Sequence, residues 1–360
     1  VSADHDVHPR RPTLITGGAG FVGSNLADTL LGAGEAVTVV DNLARPGVAS
    51  NLGWLRERHG DRLRFEPVDV RDARRLEPLV REAGRVYHLA AQVAVTASIN
   101  DPAADLSTNL VGTFNLLEAA RRAPVPPPIL YTSTNKVYGS LASLAVERAE
   151  AGYRWADGRA AIDEDQPLDF HSPYGCSKGA ADQYVHDYAR VYGMATCVFR
   201  MSCIYGTRQF GTEDQGWVAH FARSLLEGRP ITIFGDGHQV RDILWIGDLI
   251  DAMRAAMGRL ERGGSSVYNV GGGPVNAVTI RGVVGRLEEI TGRRAEVVCA
   301  PWRPGDQRVF VSDTSRAQAD LGWNPQVEWR EGLARLVGWL VAEQARDARL
   351  PEPRVAGASG

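Results

Sequence analysis

Short uninterrupted apolar runs alternate with helical patterns through the first half of the chain. Thr13 to Thr16, Val37 to Val40, Leu63 to Phe65, Val86 to Leu89, Ile129 to Thr132 and Cys197 to Phe199 read as strands. Leu26 to Leu31 reads as helix stopped by Gly32 and Gly34, and Leu106 to Arg122 as helix followed by a proline stop from Pro124 to Pro128. The strands lack the alternation of a half-exposed sheet. Continuous apolar strands between helices predict a parallel sheet covered on both faces. After Arg200 the pattern breaks into glycine-rich loops and shorter elements with interleaved aromatic and arginine residues. That change predicts a smaller lid over the carboxyl ends of the strands. The expected fold is therefore α/β, a doubly wound parallel sheet with a smaller, interleaved C-terminal α/β domain. At 360 residues the chain exceeds what one core usually organises.

The turn after the first strand refines this expectation. Thr16-Gly17-Gly18-Ala19-Gly20-Phe21-Val22-Gly23 follows the strand and opens a helix. Glycines at this spacing permit a tight turn, close approach of backbone to a pyrophosphate, and packing of helix on strand. Asp41 ends the second strand about 20 residues on, where a carboxylate takes the adenosine ribose hydroxyls. It would repel a 2′-phosphate, so NAD is expected and NADP is not. The sheet is thus of Rossmann type. Gly17, Gly20, Phe21, Val22, Gly23, Asp41 and Asn42 are the expected cofactor residues. Asp69 and Val70 after the third strand, Leu89, Ala90 and Ala91 after the fourth, Thr132 on the fifth and Asn109 extend the set. The expected division is 12–199 with 238–268 for NAD and 200–237 with 269–340 for substrate, with tails at 1–11 and 351–360.

Composition adds one sharp signal. Of 40 Lys and Arg residues only two are lysine, Lys136 and Lys178, and both lie in motifs that look chemical. Arginine is a delocalised fork, lysine a compact point charge. Lys178 stands four residues after Tyr174 behind a Ser172-Pro173 helix start, so the two share a helix face. Free tyrosine titrates near pH ~10. A cation beside it and a positive nicotinamide ring favour the phenolate. Thr134 ends a strand where such sheets bind ligands, and its hydroxyl can share a substrate proton with Tyr174. Tyr174, Lys178 and Thr134 together suit hydride transfer at a secondary alcohol, with tyrosine as general base and acid.

Gly17-Gly20-Gly23, Thr134 and Tyr174-x-x-x-Lys178 resemble the extended short-chain dehydrogenase/reductase family, in its nucleotide-sugar epimerase and dehydratase branch. The resemblance runs from about Pro12 to about Leu340. It implies a nucleoside diphosphate sugar as substrate and a homodimer or higher homo-oligomer paired through helices near Leu106–Arg122 and Tyr174–Tyr192. Dehydratases of the branch carry Asp-Glu after the threonine to remove water. Here Asn135 and Lys136 stand there, and asparagine cannot exchange a proton. Cys203 replaces the asparagine usual in 4-epimerases before the Tyr-Gly pair. Long runs around Ser133 to Gly139, Asp169 to Gln183 and Arg208 to Trp217 are similar to the members that invert C2 of a CDP-sugar. The resemblance therefore implies an isomerase oxidising C2 to a ketone and returning hydride to the opposite face; the alternatives are a 4-epimerase or another enzyme that modifies a nucleotide sugar through a ketone, and, last, a non-catalytic dinucleotide sensor. Asn135, Lys136, Ser202, Cys203, Gln209, Trp217, Arg241, Arg303 and Asp306 are the substrate-binding residues it suggests. The guanidinium forks match phosphate oxygens.

The remaining bulk properties narrow the field. A net charge of -3 gives no footprint for nucleic acid or anionic membrane. No apolar run reaches the ~18 residues of a membrane span. Cys176, Cys197, Cys203 and Cys299 form neither CxxC spacing nor a disulfide framework, and are expected reduced in a cytoplasmic protein's interior. His88, His171 and His238 lack metal-ligand spacing and read as structural, so no metal is expected.

Overall fold

A computed structural model describes residues 11–347 apart from Pro304. The two terminal tails expected from the sequence lie almost wholly outside those residues. Seven strands form the central sheet: β1 (Thr13–Thr16), β2 (Val37–Val40), β3 (Leu63–Glu66), β4 (Arg85–His88), β5 (Ile129–Thr134), β6 (Thr196–Met201) and β7 (Ser265–Val270). Their order is β7-β6-β5-β4-β1-β2-β3, and every neighbouring pair is parallel. Successive side chains of a strand point to opposite faces. Ile15, Val39, Tyr87, Leu130 and Phe199 accordingly enter one core, while Leu14, Val40, Val86, Ile129, Tyr131 and Val198 enter the other. Burial on both sides explains why these strands are apolar throughout. The strand order reverses between β1 and β4, and a crevice opens there at the carboxyl ends.

Two predicted elements differ from the observed ones. β5 and β6 run two residues beyond Thr132 and Phe199, which carries Thr134 into the sheet. The stretch from Leu106 to Arg122 is not one regular helix. Pro102–Leu106 is α-helical, Ser107–Val111 is a π-helical turn and Gly112–Arg121 resumes the α-helix. Local pattern does not reveal such a bulge, because its apolar spacing differs from an α-helix by a single residue.

The later part builds the roof. Val240–Trp245 pairs with Cys203–Tyr205, Ala277–Thr279 and Val309–Phe310. Ile231–Phe234 pairs with Val297–Ala300. The insertion between Gly139 and Asp169 contains a hairpin, Val146–Ala149 with Gly152–Trp155. Val137, Tyr138, Leu141, Trp155, Ile162 and Phe310 form a separate apolar cluster that fastens it to the roof. The cysteines depart from expectation: Cys197 is buried and Cys203 half-buried, but Cys176 and Cys299 are exposed, because each sits on the outer side of its helix or edge strand. All four are free thiols. Among the described residues no helix is long and apolar enough to cross a membrane, and no cluster of metal-ligating side chains occurs.

Candidate active site

The glycine turn is built by contacts at its two ends. Gly17 has φ +68°, and a Cβ there would lie 2.7 Å from Ala90 N. A Cβ on Gly23 would meet Gly17 O, which fixes the following helix, Phe21–Gly32, against the turn. Asp41 accepts from Ala19 N at 3.1 Å and from Leu43 N at 2.8 Å, so the carboxylate at the end of β2 also braces the loop. Asp69 is bound by Arg71 and by Asn42 at 2.8 Å, and the arginine above all draws its carboxyl down to about 2.

From this turn a cavity of about 820 Å³ extends under the roof. Phe21, Val22, Leu89, Ala91, Thr132, Thr134, Asn135, Lys136, Tyr174 and Lys178 line it on the sheet side. Ser202, Cys203, Gln209, Trp217, Arg241, Arg303 and Asp306 line it on the roof side. Gly17, Gly20, Asp41, Asn42, Asp69, Val70 and Ala90, in the loops after β1 to β4, and Gly23, in the first turn of the following helix, are not among its lining residues. Asn109 is placed elsewhere: it is buried outside the cavity wall, and its amide is taken up by Gln92 N and O, Asp105 and Ser177. Its role in this structure is to tie the loop after β4 to the Tyr174 helix.

The helix Ser172–Tyr192 carries the central pair, and the Ser172 hydroxyl accepts from Gly175 N at 3.2 Å in its first turn. Tyr174 N donates to Ser98 Oγ at 3.1 Å, and its phenol and Thr134 line the same cavity. Lys178 Nζ donates to the carbonyl of Thr132 at 2.5 Å and rests 4.2 Å from the centre of the Tyr131 ring. Both groups are buried, and in the free protein burial outweighs the charge effect read from the sequence. It pushes the Tyr174 phenol up to about 12, although Thr134 and Arg45 pull it down. It pulls Lys178 down to about 7 against the carboxylates of Asp182 and Asp105. His88, between Thr16 Oγ1 at 2.7 Å and Thr113 Oγ1 at 2.9 Å, is lowered to about 3 by burial and is a neutral structural group.

On the roof side, Asp306 accepts from Arg241 at 2.8 Å and faces Lys136 Nζ at 3.4 Å. Burial pushes the Asp306 carboxyl up, but the two cations outweigh it and hold it below the ordinary range. Lys136 is thus a half-buried member of a three-charge group and not a solvated loop cation. Arg303 stacks on Phe234 at 3.8 Å and bonds Asp214 at 3.1 Å. Trp217 Nε1 donates to Cys203 Sγ at 3.5 Å. Sequence reasoning missed Arg45, which interacts with Tyr174 and donates to Gln215 at 2.5 Å across the mouth. It also missed the wall formed by Thr232, Ile233 and Phe234. An arginine in a loop gives no local signal of what it will span.

A dinucleotide fits these residues. Three of the four residues between β1 and the helix start are glycine, the fourth, Ala19, is buried in the core, and the crevice leads past Leu89 and Thr132 to Tyr174 and Lys178.

The comparisons agree with this geometry. The family model described as GDP-mannose 4,6 dehydratase matches residues 14–336. The chain belongs to the extended short-chain dehydrogenase/reductase family. It is 41% identical over 333 residues to CDP-paratose 2-epimerase of Salmonella typhi, covering 91% of this chain and 98% of that protein. It is 36% identical to UDP-glucose 4-epimerase of Mycolicibacterium smegmatis, covering 90% and 97%. Among solved structures, UDP-glucose 4-epimerase of Thermus thermophilus in complex with NAD superposes with a TM-score of 0.76 at 34% identity, covering 92% of this chain and 99% of that one. This family member is an NAD-dependent enzyme of the nucleotide-sugar epimerase type.

Proposed function

We propose that the protein inverts C2 of a nucleoside diphosphate hexose, a CDP-sugar in preference to others, through a transient 2-ketone. The observation that carries the reading is the convergence of Thr134 at the end of β5, Tyr174, and Lys178 one helical turn on, in one cavity that Lys136, Arg241 and Arg303 also line. The full-length similarity to CDP-paratose 2-epimerase supports C2 and cytidine. Asn135 and Lys136, in place of an acid and a base, support epimerisation over loss of water.

NAD, held by the Gly17–Gly23 turn, Asp41 and Lys178, supplies the hydride acceptor and donor when bound. Tyr174 takes the proton of the C2 hydroxyl through or beside Thr134, and the ionised phenol is stabilised by Lys178. The ketone turns within the cavity while the diphosphate stays with the roof arginines. Tyr174 then returns the proton to the oxygen of the inverted alcohol. Arg241 and Arg303 hold the diphosphate, Asp306 a ribose hydroxyl, and Gln209, Trp217, Ser202 and Cys203 bound the sugar.

Exposed Leu106, Val111 and Phe114 face the same side as exposed Tyr184, Val191 and Tyr192, with Phe114 and Tyr184 edge to face at 6.2 Å. This face supports a homodimer paired through those two helices.

Incubation with CDP- and UDP-hexoses in deuterated water, followed by NMR, tests the reading. The expected product is inverted at C2 with no deuterium on carbon. Inversion at C4 would replace this reading by a 4-epimerase. Deuterium at a ring carbon would replace direct hydride return by enolisation.

A further inference from the structure

Asp105 is a carboxylate with no exposed surface, in a segment that sequence reasoning treated only as helix. It precedes the π-helical turn, which rotates Asn109 toward the Tyr174 helix. Three neutral donors converge on it. Ser177 Oγ lies 2.5 Å from Oδ2, Gln92 Nε2 lies 2.9 Å from Oδ1, and Asn109 Nδ2 lies 3.1 Å from Oδ1. An ionised carboxylate accepts at both oxygens without a proton to place, so it suits three donors better than an amide or a hydroxyl. Ser177 lies between Tyr174 and Lys178 in sequence, and its Oγ is also 3.2 Å from Tyr174 O. Gln92 holds the loop whose neighbours Ala91 and Val93 line the cavity.

We propose that Asp105 is a positioning residue of this active site: it locks the loop after β4 and the Asn109 turn to Ser177, and sets a fixed negative charge behind the Tyr174–Lys178 pair. The inference rests on the reading of the protein as an epimerase. The other groups facing the pair are accounted for. Asp182, on the same helix, is already bound by Arg200 at 3.0 Å. His88 on β4 is neutral, Tyr131 on β5 lies under the lysine, and Arg45 faces the phenol from the loop after β2. Asp105 raises both Tyr174 and Lys178, whereas Arg45 acts on the phenol in the opposite sense.

The sign of the effect separates this role from simple packing. A negative charge disfavours the phenolate and favours the ammonium, so its removal lowers both ionisations. The two limbs of the pH profile of kcat/KM then move together toward acid. A packing defect lowers the profile without moving its limbs. The test measures epimerisation by the NAD-loaded enzyme across pH for the native protein, Asp105→Asn and Asp105→Glu. For Asp105→Asn both limbs are expected to shift down by about half to one pH unit. For Asp105→Glu the limbs stay in place at reduced height. Limbs of Asp105→Asn that coincide with native overturn the proposal. Should the amide variant not fold, Asp105→Ser, which also removes the charge, is measured in its place: limbs shifted down support the proposal, and limbs that coincide with native overturn it. A native enzyme inactive on every sugar nucleotide would instead overturn the functional reading, before either variant is compared.

Discussion

Lys178 Nζ donates to the backbone carbonyl of Thr132 at 2.5 Å, so the helix that bears Tyr174 is pinned to β5, the strand that bears Thr134. One ammonium thereby sets the distance between the two hydroxyls that handle the proton. Its position over the Tyr131 ring leaves little room for a wider head. Lys178→Arg is therefore expected to fail along with Lys178→Met, each losing about 10²–10⁴-fold in kcat. Full activity of the arginine variant in a steady-state assay would show that charge alone suffices.

The buried lysine also predicts a pH-dependent stability. Its ordinary value of 10.5 falls to about 7 on folding, chiefly by burial. Between those values the unfolded chain binds more protons than the native one, so this group lets stability rise with pH. Its cost is largest below pH 7 and gone above 10.5. NAD-free Lys178→Met is thus expected to melt higher than native at pH 6, with the gap closing toward pH 10. The full cost implied is of the order of 5 kcal/mol. Parallel melting curves for the two proteins across that range would contradict it.

Tyr174→Phe removes the group that takes and returns the substrate proton and leaves the ring's packing intact. Its kcat should fall by about 10²–10⁴-fold with little change in melting temperature. Binding of the nucleoside diphosphate by calorimetry should be unaffected, because the roof cations are untouched. An undiminished rate in the NMR assay would remove Tyr174 from the mechanism.

Gly17 is a backbone position that cannot accept a side chain without strain. Gly17→Ala combines a left-handed φ of +68° with a Cβ 2.7 Å from Ala90 N. The strain is expected to destabilise the protein by about 1–3 kcal/mol. The variant should also purify with less NAD. Calorimetric melting and absorbance of the extracted nucleotide measure the two effects.

Cys203 is held by the indole N–H of Trp217 and borders the sugar space. Cys203→Asn places a larger polar amide there, competing for that donor. The expected result is a rise in KM of about tenfold with a smaller change in kcat. A larger fall in kcat than rise in KM, read from initial rates, would place the thiol at the reacting carbon instead of along the sugar.

Much of this was legible in the chain. The glycine turn, Asp41, and the Tyr174–Lys178 spacing are local patterns, and local patterns survive without knowledge of the fold. The parallel sheet followed from strands apolar on both faces. Tertiary contacts decided the rest. Asn109 reads as a cofactor residue from its motif, yet the π-helical turn directs its amide to Asp105 and Ser177. Lys136 stands 170 residues from Asp306, and no local pattern pairs them. Arg45 reaches Gln215 across the same kind of gap.

The sequence by itself determined which chemistry the chain bears, because glycine spacing, helical spacing and rare lysines are properties of neighbours along the backbone. Only the tertiary structure decided the electrical state of that chemistry. Whether Lys178 is charged and how far Tyr174 resists ionisation depend on how completely water is removed and on which distant carboxylates close around them. Burial and charge proximity are sums over space, to which residues far apart in the chain contribute as fully as adjacent ones.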